Sequence, residues 1–100
     1  MLLHIVNKSP TERNTFDSCL QHAKKGSSIL LIEDGIYAAL TGTEVSDKVK
    51  NAMKEVNIYA LAPDINARGM NGRIIEGVKL VDYSGFVDLA AEHDSIQSWL

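Results

Sequence analysis

The single cysteine of the chain, Cys19, is its most distinctive candidate for covalent chemistry. A thiolate can carry sulfur as a persulfide, provided that its pKa is low and it is accessible. Cys19 lies well inside a predicted helix, away from the N-terminal end where the macrodipole favours a thiolate. His22 follows on the same side of that helix. Two interpretations stay open: a sulfur-carrying thiol, or a small apolar side chain packed beside Phe16 and Leu20.

Polar side chains that follow the predicted strands form a second candidate site. They are Asn7, Ser9, Asp34, Asp64, Asp82 and Tyr83. Ligands of open parallel sheets bind beyond the carboxyl ends of the strands, so these residues would line a polar crevice. Alternatively, Ser9, Asp34 and Asp64 each cap a helix that follows them.

Several familiar sites are not encoded. The chain has no G-x-G-x-x-G or P-loop pattern for nucleotides and no G-x-S-x-G pattern for a hydrolase. His4, His22 and His93 are scattered, and no His or Cys pair has the spacing of zinc ligands. We therefore expect neither a cofactor nor a metal. His4 is predicted to be a strand residue with a satisfied ring, and His93 a surface residue near a helix end.

Four short apolar runs have the composition of strands, and the second is almost continuous, as in a strand buried on both faces. They lie at Leu2–Val6, 28–33, 57–62 and 78–82.

Helical signals lie between these runs. The strongest is Ser9-Pro10-Thr11-Glu12, which combines a capping box with proline at the first helical position. This helix is predicted to end at Lys24-Lys25-Gly26. Other predicted helical segments are a stripe of apolar residues over 45–56, a short turn over 64–69 and a last helix over 84–93.

Strands that alternate with helices predict an α/β fold, because parallel strands need crossover connections. We expect one domain over residues 1–100, with three layers and a central, mainly parallel sheet flanked by helices. The C-terminal segment 96–100 is apolar and contains Trp99. It either folds back onto the core or anchors a partner.

Charge and composition limit the partners. Ten Lys and Arg against thirteen Asp and Glu give a net charge of −3, without a strong basic cluster. Because nucleic-acid binding depends on clustered cations, we expect no direct contact with DNA or RNA. No apolar run approaches the ~20 residues that span a bilayer, and no signal peptide is evident. One cysteine cannot form an internal disulfide, so a cytoplasmic location is expected.

Taken together, five groups of residues in the same order resemble the TusB/DsrH family of sulfur-relay subunits over the whole chain. The groups are Leu3-His4 with Asn7-Lys8-Ser9-Pro10; Leu30-Leu31 with Glu33-Asp34-Gly35 and Tyr37-Ala38-Ala39; Tyr59-Ala60-Leu61 with Asp64 and Ala67-Arg68-Gly69; Asp82-Tyr83 with Phe86-Val87; and Trp99. Cys19 and the run Asn7-Lys8-Ser9-Pro10 look more like the DsrH branch.

The resemblance implies a heterohexamer with TusC/DsrF-like and TusD/DsrE-like subunits. Such complexes accept persulfide sulfur from a TusA-like donor and pass it to a TusE/DsrC-like acceptor. The sulfur ends in 2-thiouridine at the tRNA wobble position in one branch and serves sulfur oxidation in the other. The main sulfur-carrying cysteine belongs to the TusD/DsrE-like subunit, so this chain would be an accessory subunit in which Cys19 holds sulfur transiently or not at all.

Two other hypotheses assign the chain to different functional classes. One is a free-standing persulfide carrier that acts through Cys19. The other is a small ligand-binding or receiver-like module that uses Asp34, Asp64 and Asp82.

Overall fold

A five-stranded parallel sheet forms the centre of the fold in a computed structural model that describes residues 2–11 and 14–99. The strand order is β4-β3-β2-β1-β5, and every neighbouring pair is parallel. The strands are β1 (Leu2–Val6), β2 (Ser28–Leu31), β3 (Asn57–Leu61), β4 (Lys79–Val81) and β5 (Ser95–Trp99). The expected α/β class with a central parallel sheet is confirmed.

In the described ranges, four α-helices and two 3-10 helices connect the strands. The α-helices are α1 (Thr15–His22), α2 (Ser46–Ala52), α3 (Ala62–Ala67) and α4 (Tyr83–Glu92), and the 3-10 helices lie at Glu33–Ala39 and Asn71–Arg73. α3 begins two residues before the predicted segment 64–69. Pro63 is compatible with this earlier start, because the backbone N–H groups of the first helical turn have no partner within the helix. The last helix, predicted over 84–93, begins and ends one residue earlier.

Right-handed crossovers decide which helix covers which face of the sheet. From β1 to β4, each strand is added to the same side of the previous one. The chain then crosses back over the sheet, and β5 is added on the other side of β1. The first three crossovers therefore lie on one face and the last on the other. Phe16 of α1, Val49 of α2 and Ile65 of α3 share one core cluster, whereas Leu89 of α4 packs with Leu3 and Leu30. The result is the expected three layers.

The start of the first helix was predicted wrongly. We expected it at Ser9, but α1 begins at Thr15, and Asn14 accepts from the Ser18 amide at 3.0 Å. The Ser9 hydroxyl makes a local turn instead, with the Thr11 hydroxyl at 3.0 Å and the Thr11 amide at 3.4 Å. Glu12 of the predicted capping box lies outside the described residues.

The C-terminal segment forms a strand that was not predicted. β5 pairs with β1 from Leu2↔Ser95 to Val6↔Trp99, so this segment folds back onto the domain. The segment 33–39 was not predicted as helical either, although it forms a 3-10 helix directly after β2.

Gly35 allows the first turn of that 3-10 helix to approach the end of β1. A Cβ atom on Gly35 would lie 2.2 Å from the carbonyl oxygen of Val6, which accepts the Ile32 amide at 3.0 Å. This clash involves backbone, which cannot move without disturbing the β1–β2 pairing.

We therefore predict that Gly35→Ala lowers the free energy of unfolding by about 1–3 kcal/mol, measured by urea denaturation. Gly72→Ala is the matched control, because a Cβ atom there meets no atom within 4 Å. Equal effects of the two substitutions would contradict the steric explanation.

Candidate functional site

The carboxyl edge of the sheet brings Asp34 and Asp64 together through Arg68. Asp34 Oδ1 accepts from Arg68 Nη2 at 2.9 Å and from Nε at 3.2 Å. Arg68 Nη1 also donates to the Asp64 carbonyl oxygen at 3.2 Å. Hydrogen bonding to Asp34 is the main reason that the pKa of Arg68 is raised. The two aspartates meet as the edge rule predicts, but a resident cation neutralises them.

Neither aspartate caps the helix that follows it, so the capping interpretation is wrong for both. Asp64 Oδ2 accepts from the Glu33 amide at 2.6 Å, at the start of a different helix. Glu33 has a positive φ of 49°, a strained conformation for a residue with a side chain, and this hydrogen bond holds it. Asp82 is the residue that does cap its helix, by accepting from the Gly85 amide at 2.7 Å.

Ser9 does not join the aspartates, and the described residues form no open acid pair at this edge. Ser9 is buried and bonded to Thr11, and Asp82 is engaged at the start of α4. The carboxylates at this edge are already held by Arg68 and by backbone amides. The edge therefore has the contacts of a structural ion-pair network.

Cys19 is fully buried in the larger core cluster, at 0% exposure. Burial raises the pKa of its thiol to about 12. His22 does not activate it, because its Nδ1–H donates to the Ser18 carbonyl at 2.7 Å and its ring faces Trp99. In this conformation Cys19 has neither the exposure nor the thiolate that sulfur transfer needs.

His4 and Trp99 form a partly buried polar pair that the sequence did not reveal. Trp99 Nε1 donates to His4 Nδ1 at 3.0 Å. An indole nitrogen can only donate, so His4 Nδ1 must accept and the neutral ring carries its proton on Nε2. His4 is 1% exposed, and Nε2 has no partner among the described residues. The expectation of a satisfied ring is therefore correct for one nitrogen and wrong for the other.

His93 is also more engaged than a surface residue. Its Nδ1–H donates to the Leu89 carbonyl at 2.6 Å, and its Nε2 lies 3.0 Å from the Ser28 hydroxyl. These contacts hold the end of α4 against the start of β2. Within the described ranges, no three His, Cys, Asp or Glu side chains come together as a metal site. No helix in the same ranges is long and apolar enough to cross a bilayer.

Burial, and to a lesser extent the nearby His22, lower the pKa of His4 below 6.5. The unfolded chain therefore binds a proton at His4 before the folded chain does, and stability is lost as the pH falls below 6.5. We predict that His4→Gln, which keeps an acceptor for Trp99, makes the free energy of unfolding less pH-dependent between about pH 7.5 and 5.5.

Urea denaturation at a series of pH values measures this slope. His22→Gln is the control: it removes another histidine but leaves the burial of His4, so it retains most of the slope. A wild-type slope in His4→Gln would show that His4 is not the titrating group.

Sequence comparison places the chain in a known family. Residues 8–96 match the model of a family described as DsrH like protein. The chain is 35% identical over 98 residues to Protein TusB of Escherichia coli K12, covering 98% of this chain and 100% of that one. The TusB protein of Escherichia coli O1:K1 matches with the same identity and coverage.

Solved structures share the fold at lower identity. The YchN protein of Escherichia coli superposes with a TM-score of 0.82 at 14% identity, over 97% of both chains. MTH1491 of Methanobacterium thermoautotrophicum gives a TM-score of 0.70 at 18% identity, over 97% of this chain and 96% of that chain. The sequence match covers 98% of the chain, and the parallel sheet and the residue groups named above agree with it. The chain therefore belongs to the TusB/DsrH family of sulfur-relay proteins.

Proposed function

We propose that this chain is an interface-forming subunit of a cytoplasmic persulfide-transfer complex, a heterohexamer with TusC/DsrF-like and TusD/DsrE-like partners. The complex takes sulfur from a TusA-like donor and delivers it to a TusE/DsrC-like acceptor. The names of the relatives, TusB and DsrH, support this assignment. If a strain that lacks the chain loses 2-thiouridine from its tRNA, the sulfur carried by the complex is used for tRNA thiolation and not for sulfur oxidation.

The observation that carries the proposal is an apolar surface on α4. Tyr83 is 61% exposed and Val87 is 66% exposed, one helical turn apart on the same side of the helix. Ile96 of β5, 47% exposed, adds to the apolar surface on this face of the sheet. Exposed aromatic and aliphatic side chains grouped on one element are typical of a protein interface.

For Cys19 we propose a packing role, with the reactive cysteine of the relay on the TusD/DsrE-like chain. The burial of the thiol and its raised pKa support this role, because persulfide transfer needs an accessible thiolate. In this conformation, exposing Cys19 would require α1 to move away from the sheet. The accessory role expected of this subunit does not demand such a movement.

We predict that the chain co-purifies with both partner subunits and that Val87→Glu weakens this assembly by about tenfold or more. A carboxylate that is buried in an apolar interface loses its hydration, and without a nearby cation no new interaction compensates for that loss. Size-exclusion chromatography with light scattering, over a range of protein concentrations, measures the dissociation.

Asn51→Glu is the matched control, because it adds the same charge at an exposed position of α2. Circular dichroism confirms that both variants are folded. A complex that tolerates Val87→Glu as well as Asn51→Glu would show that the α4 surface is not an interface.

A separate prediction concerns Cys19. We expect Cys19→Ala to leave assembly and sulfur transfer from donor to acceptor unchanged, because the thiol is buried. Intact-mass spectrometry of the wild-type chain after exposure to the persulfide donor should show no added sulfur under native conditions. A 32 Da adduct that Cys19→Ala abolishes, together with lost transfer, would favour the carrier role instead.

A further inference from the structure

The face of the sheet under α4 is only partly covered by this chain. Five strands about 4.8 Å apart make a sheet roughly 19 Å wide between its outer strands, and one α-helix is about 10 Å wide. Three α-helices pack on the opposite face, whereas α4 is the only α-helix on this face among the described residues. A strip of this face therefore stays open beside α4.

The open strip lies on the β5 side of α4. At Gly85 the helix approaches β4 so closely that a Cβ atom there would lie 2.9 Å from the Val81 Cβ atom. The opposite flank of the helix, which carries Phe86, therefore faces β5. Ile96 of β5 is in register with Leu3, which packs under α4, so Ile96 points to this same face of the sheet.

The open strip and the outer side of α4 form one apolar surface. Tyr83, Val87 and Ala91 are exposed and follow one another at intervals of one helical turn. The partly buried Phe86 lies between this line of side chains and the sheet. Together with Ile96 these four residues form a surface that we call the α4–β5 ledge. Grouped apolar side chains on the surface of a folded chain mark a docking site.

The charges beside the ledge indicate what kind of surface fits it. All ten Lys and Arg of the chain lie before residue 80, whereas four of its thirteen acidic residues lie after it. Two of these, Asp88 and Glu92, border the exposed apolar line of α4 and are four residues apart, a spacing at which like charges repel. Neither forms an ion pair with a described residue. An acidic border without cations of its own favours a partner that supplies them.

The same charges disfavour a second copy of this chain as the partner. In a two-fold symmetric contact, the α4 helices of the two copies would meet through identical surfaces. The acidic border of one copy would then face the acidic border of the other, and like charges brought together at an interface oppose binding. A different chain with a basic border avoids this repulsion.

We propose that the α4–β5 ledge docks a partner subunit whose surface is apolar at its centre and carries Lys or Arg opposite Asp88 and Glu92. This inference rests on the proposed function and specifies the chemistry of the partner that the α4 surface contacts. Burial of the apolar side chains holds the complex together, and the opposite charges at the border speed its formation.

Neutralising the acidic border tests the chemistry of the partner. Surface plasmon resonance measures the binding of the full-length chain to the immobilised partner subunits over a series of NaCl concentrations. Asp88→Asn with Glu92→Gln should slow association by about three- to tenfold at low salt and weaken its salt dependence, because border charges act mainly on the association rate.

The control removes the same charge elsewhere. Glu44 and Glu55 are exposed at the two ends of α2, on the opposite face of the sheet. Glu44→Gln with Glu55→Gln should leave the association rate unchanged. Equal slowing by both pairs, or faster association after Asp88→Asn with Glu92→Gln, would overturn the proposal.

A matched pair of apolar positions tests the ledge itself. Ile96 is 47% exposed on β5, and Leu80 is 48% exposed on β4, the other edge strand. Leu80 is in register with Ala60 of the larger core cluster, so it points to the opposite face. Ile96→Glu should weaken binding to the partner subunits by about tenfold or more, and Leu80→Glu should leave the affinity unchanged.

Circular dichroism checks that both variants are folded, and Ala91→Glu, at an exposed position of α4, replaces Ile96→Glu if the latter unfolds. Equal affinities of the ledge variant and Leu80→Glu would show that the ledge does not dock the partner.

The outcomes also separate this inference from the proposed function. Partner subunits that bind the wild-type chain, but respond neither to the neutralised border nor to the ledge variants, would leave the proposed function standing and remove the ledge. Partner subunits that do not bind the wild-type chain would remove both. A dimer of this chain alone that Asp88→Asn with Glu92→Gln strengthens would assign the ledge to a second copy and overturn the inference.

Discussion

The right-handed crossover is the constraint on which the rest of this molecule depends. Because the chain moves from β1 to β4 in one direction, α1, α2 and α3 must share one face of the sheet, and they bury the larger core there. The single return step leaves α4 alone on the second face, over a much smaller cluster. The apolar side chains left exposed on that helix follow from strand order, and no local motif records them.

Much of the fold follows from local patterns, and the errors have physical causes. Strands β1 to β3 were recognised because parallel strands covered on both faces consist of short apolar runs. β4 is an exposed edge strand, but it lies within the apolar run predicted over 78–82. β5 was missed because an edge strand needs few apolar residues, and three of the five residues of Ser95–Trp99 are polar. The capping-box pattern was misleading because the Ser9 hydroxyl satisfies the Thr11 amide without forming a helix.

In the candidate sites too, features set by nearby residues were predictable and features set by distant parts of the chain were not. The meeting of Asp34 and Asp64 was predictable, because the ends of adjacent parallel strands share an edge. Their neutralisation by Arg68 was not, since it depends on the path of the 3-10 helix after β2. The apolar stripe of α1 indicated that Cys19 could be buried. The pairing of His4 with Trp99 spans 95 residues and exists only because β5 docks beside β1.

That last pairing connects the tautomer of His4 to the docking of β5 beside β1. The indole N–H of Trp99 fixes the His4 tautomer, and only this tautomer places the neutral ring's proton on Nε2. The protonation of His4 is therefore set by the docking of β5 at the far end of the chain. Because linkage is reciprocal, the neutral ring of His4, whose Nδ1 can accept from Trp99, favours the state in which β5 is paired.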